Sequence, residues 1–258
     1  MKLFVSRFIL LVTFMVTAVQ SYSKSQDYDF YLKLGSGISV AQSPNIVAVY
    51  PPWTPAMQGY NVPLGSCPIA SFGVGCQLFD VVDLEVSMSN RSVFEYRQFQ
   101  TPTSGGDSYT REFDLNVTPI IFSANILGLG IPHFHADMGL GAMYPIIGAG
   151  IGVSNLLITN YRTTGLPAIG DSSPFQTFSA ENQYTLRKNF TYTLLAGVEY
   201  NYDQRWAIGT GYRWFNAGDF KGPQYQRVMG GSAVDVADDQ WSMRFRAQEW
   251  FIEFKIFI

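Results

Sequence analysis

The residues best equipped for ligand chemistry are the only two histidines, His133 and His135, which alternate with Phe134 and Ala136 up to Asp137. In extended backbone that spacing puts all three on one side, where two imidazoles and a carboxylate could bind a zinc-type metal. The competing reading is an exposed polar connection between two strands. No serine motif is coupled to either histidine, so the set of nucleophile, base and charge stabiliser that an enzyme needs is not assembled. The sequence is read as non-enzymatic, with no catalytic residue and no cofactor, and His133, His135 and Asp137 are the sole candidates for a metal.

A second group is chemically more telling. Asp29, Lys33, Glu85, Glu112, Asp114, Glu199, Arg213, Glu253 and Lys255 each stand opposite apolar neighbours in alternating segments. If those segments close into a narrow barrel with the charges inside, the charges must pair, because unpaired buried ions are costly. A cross-barrel network around Arg213 and Lys255 would plug the interior. If the carboxylates line water instead, the same residues make a small cation-preferring, porin-like channel. A lipid- or ligand-binding barrel is a third possibility.

The elements that must position these charges are strands, since period-two alternation recurs along the chain. Tyr28, Phe30, Leu32 and Leu34 oppose Asp29, Lys33 and Gly35. A second segment, about 69–79, opposes Phe72, Val74, Cys76 and Leu78 to Ser71, Gly73, Gly75 and Gln77. In a third, reaching about Phe99, Leu84, Val86 and Met88 oppose Glu85, Ser87 and Ser89. The fourth, about 110–126, sets Phe113, Leu115 and Val117 toward lipid and Glu112, Asp114, Asn116 and Thr118 inward. The fifth, about 143–156, opposes Ile147, Ala149, Ile151 and Val153 to Gly148, Gly150, Gly152 and Ser154, glycines that make room inside. The sixth, about 185–202, opposes Phe190, Tyr192, Leu194, Val198 and Tyr200 to Thr191, Thr193, Gly197 and Glu199. The seventh starts at Trp206 and the eighth ends at Ile258, with Trp250, Ile252, Phe254 and Ile256 opposite Glu253 and Lys255.

Eight segments, one apolar face on each, and long connections alternating with short ones are what closing a sheet in lipid requires. Only the fourth-to-fifth connection, about 127–142, is too long for its place. The expected fold is all-β, an eight-stranded antiparallel transmembrane up-and-down β-barrel. A mean hydropathy of +0.05 with 16% aromatic and 14% charged residues suits a chain whose strands face lipid on one side only. Tyr200, Tyr202 and Trp206 surround a short turn, as an interfacial girdle would.

The N-terminus reads as export anatomy. Lys2 and Arg7 flank a short basic region and about twelve apolar residues follow, fewer than the ~20 of a spanning helix. Residues 1–23 are expected to be a cleaved signal peptide and 24–258 a single barrel domain. Since the first cysteine is Cys67, lipid modification at the cleavage point is not expected. Cys67 and Cys76 would be allowed a disulfide by compartment, but the alternation points Cys76 at lipid and leaves Cys67 in a loop, an awkward geometry for a bridge. A net charge of −3 makes nucleic acid an improbable partner.

Residues 41–68 contain no charged side chain, yet carry Tyr50, Trp53 and Tyr60. These are candidates for external contacts with host surface molecules, lipopolysaccharide or neighbours, or for a lid over the barrel mouth. The stretch FTYTLLAGVEYNYDQRWAIGTGYRWFNAGDF, with YPIIGAGIGV before it and EWFIEFKIFI at the end, resembles the opacity-type and Omp25-type outer-membrane surface antigens. The resemblance implies an eight-stranded barrel in the bacterial outer membrane, a partner in the barrel-assembly machinery, and roles in adhesion, antigenic display or envelope integrity. One departure is the last residue, which is aromatic in that family and here is Ile258, after Phe257.

Overall fold

In a bilayer each backbone N–H and C=O must find a partner within the protein, so strands can cross only if the sheet has no free edge. The computed structural model satisfies this by closure. It describes residues 28–42, 57–58, 64–79, 81–102, 108–131, 134–166, 177–180, 184–202, 205–223, 225–228, 233–235 and 242–258. Eight long strands follow in order: β1 (Tyr28–Ala41), β2 (Ser66–Leu78), β3 (Val82–Pro102), β4 (Ser108–Leu127), β5 (Gly141–Leu166), β6 (Tyr184–Tyr202), β7 (Trp206–Lys221) and β8 (Ser242–Phe257). Each pairs antiparallel with the next, and β8 pairs back onto β1.

The register fixes the shape. From Leu34 on β1, cross-strand register partners run through Phe72, Met88, Ile120 and Val153 to Phe190 on β6. The opposite direction runs through Phe254 and Ile208 to Tyr200 on the same strand. The two arrivals are ten residues apart on β6, a stagger that tilts the strands by roughly 35–45° and leaves an interior only as wide as the side chains that fill it. Every residue on this path points outward. With Val86, Ile147, Ile151, Leu194 and Ile252 they form an apolar belt without a charge, which makes the molecule a membrane-spanning barrel of the outer-membrane type.

Along the axis the interior divides into two storeys. Near the chain termini the inward face is polar and charged. Farther up, Phe94, Tyr96, Phe113, Leu115, Val117, Leu156, Ile158, Phe215 and Phe245 fill the same face as an apolar core. Beside this upper storey the outer wall turns polar, carrying Glu95, Arg97, Glu112, Asp114, Asn116 and Arg244. The polarity of the two faces therefore inverts where the wall leaves the lipid belt. A bulge between Arg91 and Phe94 carries β3 across that boundary, so that inward positions change from odd (Glu85, Ser89, Arg91) to even (Phe94, Tyr96).

This inversion corrects three expectations. On β4 it is Phe113, Leu115 and Val117 that point inward, each at most 1% exposed, while Glu112 and Asp114 lie on the outer wall. Cys67 belongs to β2 and not to a loop; it is buried among the upper core, on the face opposite Cys76, and both thiols are free. Strand β5 runs to Leu166, well beyond its expected end near residue 156. Short strands prolong the β5 side further: Thr177–Ala180 pairs with β5, and Tyr225–Val228 pairs with both Thr177–Ala180 and Ala233–Asp235.

Candidate functional site

An extended strand alternates its side chains, so the inward charges of neighbouring strands stack in layers along the barrel axis. At the end bearing the termini, Lys255 of β8 pairs with Asp83 of β3 and, at 2.6 Å, with Glu199 of β6. Its ammonium also lies 4.7 Å over the Tyr31 ring. Tyr31 links this layer to the next by donating its hydroxyl to Glu85 Oε2 at 3.3 Å. In the middle layer Lys33 Nζ bridges Glu85 at 2.6 Å and Glu253 at 2.9 Å, and Arg213 holds the other oxygen of Glu253 at 2.8 Å. Arg213 also stands 3.7 Å from Glu249, the anion of the third layer. There Arg91 donates from Nε at 2.7 Å and pairs from Nη2 at 2.6 Å with Glu249 Oε1, to which Ser39 adds its hydroxyl at 3.0 Å. The guanidinium of Arg91 lies 3.7 Å over Phe215, directly beneath the apolar core.

Four cations thus face five carboxylates, all in one chain of contacts. Glycines let it form at this width. A Cβ on Gly75 would overlap the Tyr31 ring, and one on Gly150 would lie 2.6 Å from Ile121 Cγ2. The remaining space on the β3–β6 side, lined by Lys33, Glu85, Ser87, Ser123, Thr193 and Arg213, amounts to about 20 Å³. That is roughly the room of one or two water molecules. The arrangement can hold the wall rigidly and keep charge inside it. A space of about 20 Å³ admits water and nothing larger.

Of the residues singled out in the sequence, Lys33, Glu85, Glu199, Arg213, Glu253 and Lys255 meet in this network, while Asp29 is exposed at the rim. Glu112 and Asp114 do not belong to it; Asp114 instead accepts from Asn160 Nδ2 at 2.6 Å on the outer wall. Sequence reasoning missed Asp83, Arg91, Glu249 and the Tyr31 hydroxyl. Arg91 is one further step along the Glu85, Ser87, Ser89 series, and Glu249 one step before Phe251, so both were reachable by continuing the alternation. Asp83 looks like turn chemistry, and nothing in the sequence separates it from that role.

Among the metal candidates, His133 lies outside the described residues. His135 packs its ring 5.1 Å from Tyr144, and Asp137 accepts the Gly139 N–H at 2.9 Å. Among the described residues no group of three metal-ligating side chains is assembled. Tyr50, Trp53 and Tyr60 also lie outside the described residues, as does the segment 1–23.

Neither a protein-family model nor a curated protein matches the sequence. Solved structures similar to it include Neisserial surface protein A, at 14% identity over 88% of this chain and 96% of that one, with a TM-score of 0.42. The outer membrane protein OprG from Pseudomonas aeruginosa is 11% identical over 90% and 97% of the two chains, with a TM-score of 0.48. The attachment invasion locus protein Ail of Yersinia pestis is 10% identical over 88% and 99%, with a TM-score of 0.34. At these identities and scores nothing of their activity transfers to this chain.

Proposed function

We propose that the chain is a non-enzymatic surface barrel of the opacity or Omp25 type, freed of residues 1–23 on export, which anchors external loops for adhesion, antigenic display or envelope integrity. The observation that carries this reading is the filled interior. A paired charge network closes the membrane storey, and the Phe94–Phe113–Phe215–Phe245 core closes the storey above it. What such a barrel offers its surroundings is its outer wall and its loops, with host surface molecules and lipopolysaccharide as the partners to test.

A second reading, a small cation-preferring channel, is favoured by one feature, the single excess carboxylate of the network. Planar-bilayer recording of the refolded protein, with heat-modifiable gel mobility to verify the barrel, separates the two. A silent bilayer containing folded protein is the expected result, and steady cation-selective openings would replace the scaffold by the channel. Deleting 42–63 should then abolish host-cell binding while the barrel still folds; undiminished binding would remove the loop from the proposal.

A further inference from the structure

The connection from β4 to β5 leaves at the end of the barrel that carries both termini and the tight turns Leu78–Val82 and Tyr202–Trp206, the periplasmic end of an outer-membrane barrel. It is too long for a simple turn, and its described residues, 128–131 and 134–140, are built rather than slack. Leu127 N–H donates to Val81 O at 2.8 Å, Ile131 N–H to Gly128 O at 3.0 Å and Phe134 N–H to Ile131 O at 3.1 Å. Ala136 and Asp137 then pair with Met143 and Ala142 as a short extra strand beside β5. Gly128 takes φ +57°, and a Cβ there would lie 2.9 Å from Phe134 O; its neighbour Leu129 is held at φ +55°, a conformation a leucine rarely adopts. Yet these described residues expose Leu129, Ile131, Phe134, Met138 and, at 73%, Leu140. Ordered apolar side chains in such number mark a surface that something apolar covers.

Phe134, His135 and Ala136 frame a groove of about 370 Å³ whose floor is Met143, Pro145 and Val198. Pro145 and Val198 are cross-strand partners on the outward parity of β5 and β6, next to the lipid-facing Ile147. The groove is therefore continuous with the wall that contacts lipid. Tyr202 and Trp206, stacked at 4.7 Å on the same rim, set its depth at the interface between acyl chains and headgroups.

We infer that this groove is a binding site for one acyl chain of a periplasmic-leaflet phospholipid, clasped between the β4–β5 connection and the barrel wall. The connection acts as an interfacial anchor, with Ile131, Phe134 and Leu140 immersed in the leaflet and the groove taking a chain out of the annular shell. The inference rests on the membrane position of the barrel and is independent of what the external loops bind.

The test is native mass spectrometry of the full-length protein after incubation with phosphatidylethanolamine–phosphatidylglycerol vesicles and exchange into detergent. The wild type should retain one phospholipid. Ala136→Trp, which fills the groove, should lower that occupancy at least tenfold, whereas Ile151→Trp, on the same wall but outside the groove, should retain it. No retained lipid, equal retention by Ala136→Trp, or a dimeric mass with the connection protected by a second copy would overturn the inference. A second measurement needs no variant: a phospholipid with a photoactivatable acyl chain should cross-link to Phe134 and Met143 in the wild type. Labelling at Ile151 with none at 134–145 would overturn the inference as well.

Discussion

Arg91 is the most demanding group in the barrel, with no exposure at all and a position where the charged storey meets the apolar one. Replacing it by methionine removes both contacts to Glu249 and the stacking on Phe215. Removing one partner of a buried pair costs about 3–5 kcal/mol, mostly because the other charge is stranded. Glu249 would keep the Ser39 hydroxyl at 3.0 Å and Arg213 at 3.7 Å, which places the loss near the lower end, about 3 kcal/mol. Glu249→Leu alone strands a guanidinium with only Ser89 Oγ, at 3.1 Å, still accepting from it, and should cost at least as much. The double variant Arg91→Met/Glu249→Leu strands neither charge, and its side chains join the Phe94–Leu115–Phe215 core, so it should lie within about 1 kcal/mol of wild type. Urea unfolding in phospholipid vesicles, followed by heat-modifiable gel mobility, measures all four corners of the cycle. An Arg91→Met loss below about 1 kcal/mol, or a double variant whose loss is the sum of the singles, would refute the paired-network account.

The outer belt makes a depth-dependent prediction. Leu194→Arg, mid-belt on β6, should destabilise by about 2–4 kcal/mol, while Val198→Arg, nearer the Tyr200–Tyr202 girdle, should cost about 1 kcal/mol or less; the same unfolding assay would expose a reversed order. On the corrected β4, Glu112→Gln and Asp114→Asn should change stability by no more than about 0.5 kcal/mol, as outer-wall positions do. Glu85→Gln, which removes an anion from Lys33, should cost several times more, and comparable losses would return Glu112 to the interior. Cys67 and Cys76 should both be alkylated in denatured, unreduced protein, because opposite faces of one strand cannot be bridged. A mass two protons lighter with no alkylation would contradict the β2 register.

Within the lipid belt the sequence was nearly transparent. On β6, Phe190 through Tyr200 alternate outward against Thr191 through Glu199, and the facing emerges as read. Above the belt the alternation is as clean, but its meaning reverses. Phe113, Leu115 and Val117 repeat with the same period as lipid-facing residues, and nothing local distinguishes an apolar residue turned toward lipid from one turned toward a core. Periodicity separates two faces of a strand; the medium on each side decides which face is apolar. The inward facing of Met243, Phe245 and Ala247 on β8 and the far end of β5 went unread for the same reason. The charged site was legible where alternation was strong, at Lys33, Glu199, Glu253 and Lys255, and illegible at Asp83, whose neighbourhood Asp80–Asp83 has the composition of a turn.

The network also sets conditions on how the barrel can be made. Asp83 and Arg91 belong to the first half of the chain, but their counter-ions, Lys255 and Glu249, are 172 and 158 residues later, on the last strand to be synthesised. A hairpin of β3 and β4 entering lipid alone would carry both charges without partners, which hydrocarbon strongly disfavours. Neutralisation of Asp83 and Arg91 therefore requires β8, the strand that closes the ring on β1. The pairing thus predicts concerted insertion, a late, cooperative step governed by the most distant contacts, in which half-inserted states trapped during refolding into vesicles should be sparse.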